Sequence, residues 1–428
     1  MSQRPIEIAL VGAGIRGAEV YGELIRRHPA GARVVAIADI DPGCVERAAA
    51  IQGHAVATYS SGAALLDAPR LADAVVIATP DRAHADLAVQ AIARGYHVLL
   101  EKPIGRSEEE IVAVARAAAR APEVTVTVAH VLRYTDFFQT LKRLLDQRRI
   151  GRLVGIQHTE NIAYWHFAHS FVRGNWRRTD EASPMILAKA CHDLDLLRWF
   201  ADAPALAIGS MGDRVWFRGE NAPAGSTARC SDGCAVEPTC PYSALRFYTV
   251  RHAGSSAWPV SALGADTSPE GVLRALREGA YGRCVYRCDN DVVDHQVATI
   301  EFAGGVFGTL VVSALTALNT RTVKLVGSHG EIRGHLEKNQ IEVHDFATGG
   351  VDTIELAQRA GAHSGGDAGL IDDFLDRLAR ARGGQTVPAA ATSLAESIES
   401  HLLAFAAERA RLEARVVRLE EPAGSPRV

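Results

Sequence analysis

Six short apolar segments alternate with amphipathic, helix-like segments over the first 129 residues of the 428-residue chain. Strands that alternate with helices predict a parallel, doubly wound sheet, because each helix crosses over the sheet to reach the next strand. We therefore predict an α/β fold whose first domain spans residues 1–129. The six predicted strands span residues 6–11, 34–38, 55–59, 74–78, 97–100 and 125–129.

The segment Gly12–Gly17 reads G-A-G-I-R-G and lies between the first strand and a helix. Its glycines permit a tight turn, so that a pyrophosphate can bind at the helix N-terminus, as in a Rossmann domain. The second strand ends at Asp39, whose carboxylate would bind a ribose and repel a 2′-phosphate. This favours NAD over NADP, although Arg16 could still meet a phosphate. The predicted contacts are Gly12, Gly14, Ile15, Arg16, Gly17, Asp39 and Ile40.

Two later strands end in polar residues at the same carboxyl edge, where open α/β sheets bind their ligands. Strand 74–78 is followed by Thr79-Pro80, and strand 97–100 by Glu101-Lys102-Pro103. His84 begins the next helix, where a role as a simple polar cap fits equally well. The cofactor contacts predicted along this part of the edge are Thr79, Pro80, His84, Glu101 and Lys102.

Three motifs together resemble the glucose-fructose oxidoreductase, inositol dehydrogenase and rhizopine catabolism family, written Gfo/Idh/MocA. They are Gly12–Gly17, Ala78-Thr79-Pro80 with His84, and Gly95–Pro103, which ends in Glu-Lys-Pro. The resemblance is dense over the first domain and looser over the second. It implies that Lys102 is catalytic and that the Lys102–Pro103 bond is cis. It also implies a homo-oligomer, a dimer or tetramer, that pairs through the open face of a second-domain sheet.

After residue 129 the pattern changes to consecutive strands, which predicts an antiparallel sheet and an α+β domain over residues 130–428. Gly304-Gly305 is a natural hairpin turn between two of these strands. Two closing helices are predicted over residues 367–382 and 393–412. A helix around residues 186–201 precedes the predicted strand 206–216.

His192 and Asp195 lie three residues apart and so share one face of that helix. In sugar and cyclitol dehydrogenases of the resembling family, such a helix carries Asp-x-x-x-His-x-x-Asp, and the histidine faces the Glu-Lys-Pro lysine. Ala188 stands at the first acid position. Without that carboxylate, His192 could be oriented by Asp195 or by Asp193, or Lys189 could take a charge role. The predicted catalytic residues are Lys102, His192 and Asp195.

The irregular segment 165–178 mixes aromatic rings with hydrogen-bonding groups. Sugars are bound by a ring against their C–H face and by donors that reach their hydroxyls, so this composition suits a carbohydrate pocket. An ordinary loop with buried anchors fits about as well. The residues predicted to contact substrate are Lys102, Tyr134, His169, Arg173, Asn175, Trp176, Lys189 and His192.

An insert over about residues 217–292 carries five of the seven cysteines. A loop-rich segment without a core of its own often needs a cross-link to be stable, and a tetrahedral zinc site with thiolate ligands can supply one. Cys230, Cys234 and Cys240 offer three ligands, and Cys284 could be the fourth. The alternative is that the five cysteines of the insert, which include Cys288, are free or partly buried thiols. It accounts for the sequence nearly as well.

Composition limits the class of protein. The net charge of −4 gives no basic face for nucleic acid, and no apolar run approaches the ~20 residues of a membrane span. We expect a cytoplasmic protein with a small-molecule carbohydrate or cyclitol substrate.

The predicted function is NAD-dependent hydride transfer between nicotinamide and a hydroxyl or keto carbon of a sugar, sugar derivative or cyclitol. Two alternatives stay open from the sequence. One is a redox-neutral glycosidase, lyase or epimerase that requires NAD. The other is a dinucleotide-binding regulator without activity.

Overall fold

The computed structural model describes residues 4–28, 31–359, 362–388 and 390–419. A six-stranded sheet, sheet A, has the order β3-β2-β1-β4-β5-β6, and all its paired strands are parallel. This confirms the predicted doubly wound α/β domain. Its strands are β1 Glu7–Val11, β2 Arg33–Ala38, β3 Ala57–Tyr59, β4 Ala74–Ile77, β5 His97–Leu100 and β6 Val126–Val128.

Helices cover both faces of sheet A and bury two separate apolar clusters. A π-helical stretch, Ile15–Gly22, follows the first strand and leads into α1. The central strand β4 is apolar throughout, and β1 and β5 are apolar after their first residue, because both faces of the sheet are covered. The helices of this part of the chain are α1 Glu23–Arg27, α2 Pro42–Gln52, α3 Gly62–Asp67, α4 His84–Ala93 and α5 Glu108–Arg120.

A second sheet, sheet B, has nine strands in the order β14-β13-β12-β11-β7-β10-β9-β8-β15. Only the β7–β10 pair is parallel among its described strand pairs, so the predicted, mostly antiparallel sheet is confirmed. Its strands are β7 Leu153–Ala163, β8 Ala205–Asp213, β9 His295–Phe302, β10 Val306–Thr316, β11 Thr320–Gly327, β12 Gly330–His335, β13 Gln340–Asp345, β14 Val351–Glu355 and β15 Val417–Arg418.

The predicted hairpin turn lies between β9 and β10, where Gly304 and Gly305 have φ values of 77° and 78°. Glycine adopts this left-handed conformation without steric cost. The remaining helices are α6 Asp136–Asp146, α7 Tyr164–Phe167, α8 Met185–Ala188, α9 Cys191–Ala201, α10 Pro269–Glu278, α11 Gly366–Arg382 and α12 Leu394–Glu413. No described helix is long and apolar enough to cross a membrane.

Helix α11 joins the two parts of the molecule, because its buried face packs into the apolar cluster on sheet A. Helices α9 and α12 pack on sheet B in the largest apolar cluster. The helix predicted over residues 186–201 is divided into α8 and α9 by Lys189 and Ala190. The break brings Lys189 to the same region as the end of strand β5, where the candidate site lies.

Candidate active site

The glycine turn after β1 is held by close backbone contacts. Gly12 has a φ of 92°, and a Cβ atom there would lie 2.5 Å from the carbonyl carbon of Ala78. A Cβ on Gly17 would lie 1.8 Å from the Gly12 carbonyl oxygen. Asp39 accepts a hydrogen bond from the Ala13 N–H at 2.7 Å. The turn and the acid at the end of β2 therefore meet, as a dinucleotide site requires. We call this edge, with Lys102, the first-domain half of the site.

Arg16 connects this turn to the Glu-Lys-Pro segment. Its guanidinium donates to Glu101 Oε1 at 2.7 Å, to Asp367 Oδ1 at 2.7 Å, and to the Tyr21 hydroxyl. Burial raises the pKa of Glu101, but Arg16 and Lys102 outweigh it and bring the pKa to about 2. These partners occupy Nε and Nη2 of the guanidinium, whereas Nη1 is buried and has no hydrogen-bond partner among the described residues.

His84 is fully enclosed, with 1% exposure, and bonds at both ring nitrogens. Nδ1 lies 2.6 Å from the Pro103 carbonyl oxygen, and Nε2 lies 2.7 Å from the Thr79 carbonyl oxygen. The ring therefore fastens the segment after β4 to the segment after β5. In this position His84 supports two predicted cofactor segments, and neither of its ring nitrogens is left for the cofactor.

Lys102 reaches from the end of β5 to the second domain. The Lys102–Pro103 bond is cis, as the resemblance implied. The Lys102 N–H donates to Glu101 Oε2 at 3.1 Å, and its Nζ donates to the Ala188 carbonyl oxygen at 3.1 Å. The ammonium group thus lies at the C-terminal end of α8, one turn from His192.

His192 lies at the start of α9 and is 5% exposed. Burial lowers its pKa well below the ordinary value, and the charge of Lys102 lowers it further. A lowered pKa favours the neutral ring, which is the form that has a lone pair for a proton. Its centroid lies 5.6 Å from that of His130 and 6.1 Å from that of His363. We call the surroundings of His192 on α8 and α9 the second-domain half of the site.

Neither acid proposed to orient His192 does so in the structure. Asp195 accepts two hydrogen bonds from Arg133, both of 2.7 Å, and is fully buried. Asp193 lies 2.7 Å from His158 Nε2 and also accepts from Arg321 at 2.8 Å. Both carboxylates instead bind guanidinium groups from distant segments, Asp195 that of Arg133 and Asp193 that of Arg321. The buried Nδ1 of His192 has no partner among the described residues.

Lys189 stands at the break between α8 and α9, beside a buried ionic cluster. Its Nζ lies 3.4 Å from Glu160 Oε1, and Arg321 Nε lies 2.9 Å from Glu160 Oε2. Burial lowers the pKa of Lys189. Sequence reasoning missed Glu160 and Arg321. The signal in β7 is its alternation, since His158 and Glu160 are the buried polar residues of a strand with exposed or half-buried neighbours.

Sequence reasoning also missed His363 and Asp367, which lie just before and within the first turn of α11. His363 Nδ1 is 3.1 Å from Asp367 Oδ2, and the other Asp367 oxygen accepts from Arg16. His363 has a φ of 51°, a left-handed conformation that is uncommon for residues other than glycine and is often found at functional sites. Its side chain is 34% exposed. A histidine–carboxylate pair thus lies beside His192.

The predicted substrate loop faces the insert instead of His192. His169 Nδ1 lies 2.5 Å from the Tyr248 hydroxyl, and Arg173 donates to the carbonyl oxygens of Tyr242 and Arg283. These partners come from residues 217–292, so the loop and the insert pack together. His169 and Arg173 therefore have partners other than the predicted substrate.

Three further predicted substrate contacts also lie outside the immediate surroundings of His192. Tyr134 donates to Asp373 at 2.9 Å, Trp176 packs beside Phe171, and Asn175 is exposed to solvent. His166, from the same predicted loop, has its Nδ1 2.9 Å from Asn319 Oδ1. Burial, with the charge of Lys189, lowers the pKa of His166 to about 3.

The cysteines predicted to bind zinc line one small cavity in the insert: Cys230, Cys234, Cys240 and Cys284. As the side chains stand, no group of three or more His, Cys, Asp or Glu residues in the described part of the chain is arranged to hold a metal ion. The zinc prediction is therefore not confirmed.

Comparison with known proteins agrees with this architecture. Residues 6–130 match the NAD-binding Rossmann fold of the Gfo/Idh/MocA oxidoreductase family, and residues 142–399 match its C-terminal alpha/beta domain. Inositol 2-dehydrogenase 4 of Saccharopolyspora erythraea is 33% identical over 228 residues, which is 53% of this chain and 62% of that relative.

Two solved structures share the fold over nearly the whole chain. Levoglucosan dehydrogenase in complex with NADH has a TM-score of 0.70 at 20% identity, covering 98% of this chain and 100% of that one. Myo-inositol 2-dehydrogenase from Lactobacillus plantarum has a TM-score of 0.67 at 17% identity, covering 97% and 100%. The two family matches together span most of the sequence, and the chain belongs to the Gfo/Idh/MocA family of NAD-binding oxidoreductases.

Proposed function

We propose that this protein is an NAD-dependent dehydrogenase of a sugar, sugar derivative or cyclitol. The observation that carries the proposal is the hydrogen bond from Lys102 Nζ to the Ala188 carbonyl oxygen, which brings the lysine of the first domain to the chain segment four residues before the buried His192. A fixed cation beside a neutral base suits the oxidation of a hydroxyl group. The names of the inositol and levoglucosan dehydrogenases support the substrate class.

The first-domain half has the features that a dinucleotide needs. A Cβ on Gly14 would meet no atom of the protein within 4 Å, which leaves space in front of the turn. Gly12, Gly14 and Gly17 would hold the pyrophosphate, and Asp39 would hold the adenosine ribose. When bound, the nicotinamide supplies the hydride chemistry.

The protein's own groups would handle the proton and the developing negative charge. In the oxidative direction His192 accepts the hydroxyl proton, and Lys102 stabilises the alkoxide and holds its oxygen in place. Lys189, which lies between α8 and α9, contacts the substrate hydroxyls that do not react. We propose Lys102, His192 and Lys189 as the residues that touch substrate.

His363 and Asp367 would complete the proton path that Ala188 interrupts. His192 is almost fully enclosed, so a proton accepted there needs a route to solvent. His363 lies beside it and is partly exposed; burial lowers the pKa of His363, and the paired Asp367 carboxylate opposes that shift. A proton taken by His192 can pass to His363 through one bridging water and then to bulk solvent.

A screen of sugars and cyclitols with NAD and with NADP tests this function. The expected result is stoichiometric formation of reduced nicotinamide with at least one substrate, and a preference for NAD. No reduction of either cofactor over a broad panel, by protein that binds NADH, would contradict the proposal.

The replacement of the relay acid by Ala188 favours one second candidate, a redox-neutral reaction. A carbon would be oxidised transiently to ease elimination or epimerisation and then reduced, with bound NAD regenerated in each cycle. Product that forms with substoichiometric NAD and without accumulating NADH would select this candidate over the dehydrogenase.

We also propose that the protein forms a homo-oligomer through the exposed face of sheet B. Apolar side chains on its strands are open to solvent, including Met211 at 82% and Phe307 at 59%. Exposed apolar patches of this kind mark interaction sites. Light scattering that gives the mass of a single chain at micromolar concentration would contradict this.

A further inference from the structure

Four cysteines of the insert lie near one another. The side chains of Cys230, Cys234, Cys240 and Cys284 line a cavity of about 10 Å³, which has room for a single atom the size of a water oxygen. Cys230 and Cys284 lie on two paired segments, since the Cys230 N–H bonds the Gly282 carbonyl and the Cys284 N–H bonds the Ala228 carbonyl. The segments bring cysteines 54 positions apart in sequence side by side.

Backbone hydrogen bonds fold the segment that carries two of the other thiols: the Glu237 N–H donates to the Cys234 carbonyl oxygen at 3.1 Å, and the Cys240 N–H donates to the Val236 carbonyl oxygen at 2.9 Å. Cys230 Sγ accepts from the Ala244 N–H at 3.4 Å.

Arg173 adds an unbalanced positive charge beside these thiols. It is 3% exposed and lines the same cavity. Its guanidinium donates only to carbonyl oxygens, and no described carboxylate lies within 4 Å of it. The nearby Glu237 is engaged by Ser243 and Arg246. A buried cation without a counter-charge is costly, and a negatively charged thiolate centre would supply that counter-charge.

The chain around three of the thiols has little regular secondary structure. Between Asn221 and Arg246 the structure contains no regular helix or strand apart from isolated pairing at Arg229. The insert's own apolar cluster is small, with six buried residues, whereas Cys284 packs into the large cluster on sheet B. Segments of this kind are commonly stabilised by a metal ion.

We infer that Cys230, Cys234, Cys240 and Cys284 bind one structural zinc ion. Four thiolates favour a tetrahedral ion such as zinc. The thiols must turn towards their common cavity to ligate, because their present orientations do not form a metal site. The ion with four thiolates carries a charge of about −2, which Arg173 partly offsets. Because Arg173 lines the same cavity, the zinc centre also holds in place the segment that ends at Gly174.

The first test measures metal in the full-length protein, purified under reducing conditions without chelator or polyhistidine tag. Mass spectrometry should find about one zinc per chain, and a mercurial thiol reagent should release it. Replacement by cobalt(II) should give the absorption bands of a tetrahedral tetrathiolate centre. This readout does not depend on any enzyme activity.

Matched variants assign the ligands. Cys234→Ser and Cys240→Ser should lower the zinc content at least about fivefold. Cys288→Ser is the control, because its thiol donates to the Cys284 carbonyl at 3.2 Å and does not line the cavity, and it should keep the zinc.

Wild-type protein with less than about 0.2 zinc per chain, both as purified and after reconstitution with zinc, would overturn the inference even if the variants fail to fold. Iron in place of zinc, or ligand variants that hold as much zinc as Cys288→Ser, would also overturn it.

Discussion

The two halves of the candidate site use their polar groups in different ways. In the first-domain half, backbone geometry creates the site, since Gly12 and Gly17 admit no side chain and Asp39 bonds the turn itself. In the second-domain half, charged side chains from distant segments bind one another, as Arg133 does with Asp195. The first half is therefore fixed locally, whereas the second depends on the whole fold.

The largest expected effect tests whether Asp195 is structural. Asp195→Ala leaves Arg133 buried without its partner, so we expect a loss of about 3–5 kcal/mol in unfolding free energy. Urea denaturation measures it. Turnover per folded molecule should stay within a few fold of wild type. A loss of activity of a hundredfold or more with unchanged stability would instead give Asp195 a catalytic role.

This contrast explains what the sequence could predict. Gly12–Gly17 and Glu101-Lys102-Pro103 act through nearby backbone and strand ends, so short motifs were enough to place the first half. Spacing also placed His192 on its helix. It could not show which cation Asp195 binds, because Arg133 lies 62 residues away in sequence.

Other features were beyond prediction for the same reason. Arg321 and Glu160 meet only through the pairing of β7 with β11. His363 comes from a turn more than 170 residues after His192. The substrate loop was assigned from composition alone, and composition does not say that Arg173 turns towards the insert.

Two glycines of the turn should behave differently when replaced. Gly17→Ala places a methyl group against the Gly12 carbonyl, so it should lower stability as well as weaken NADH binding at least about tenfold. Gly14→Ala meets no protein atom, so the fold should keep its melting temperature while NADH binding weakens similarly. Fluorescence titration and calorimetry separate the two. Normal NADH affinity in Gly14→Ala would place the dinucleotide elsewhere.

The histidine–carboxylate pair should affect turnover more than substrate affinity. His363→Asn should lower kcat about tenfold with a smaller change in KM, because a proton relay acts after binding. Burial lowers the pKa of His363, and Asp367 opposes this by favouring the charged ring. Arg16, Lys189 and the nearby His192 also face the ring and carry or accept positive charge.

Replacing Asp367 therefore tests the direction in which the pKa of His363 changes. Asp367→Asn should lower the pKa of His363 further, which moves the acid limb of the kcat profile to lower pH. An unchanged profile in this variant, together with normal kcat in His363→Asn, would limit both residues to a structural role.

The smallest expected effect concerns acid stability. Burial lowers the pKa values of His130 and His401 from an ordinary value near 6.5 to about 3, with nearby positive charge contributing to each. Below pH 6.5 the unfolded chain binds protons that the folded chain does not, so stability falls as the pH falls. The slope is at most ~1.4 kcal/mol per pH unit for each histidine. His130→Leu should reduce this slope between pH 7 and 5.5 relative to wild type, in urea denaturation at both pH values.

The central claim is that Lys102 and His192, one from each half, form a single site. Single-turnover hydride transfer in Lys102→Met and His192→Asn, measured beside NADH affinity, tests it most directly. The account predicts wild-type NADH binding in both variants and a rate loss of at least about a hundredfold in each. Near-normal hydride transfer in either variant, with NADH bound, would contradict it.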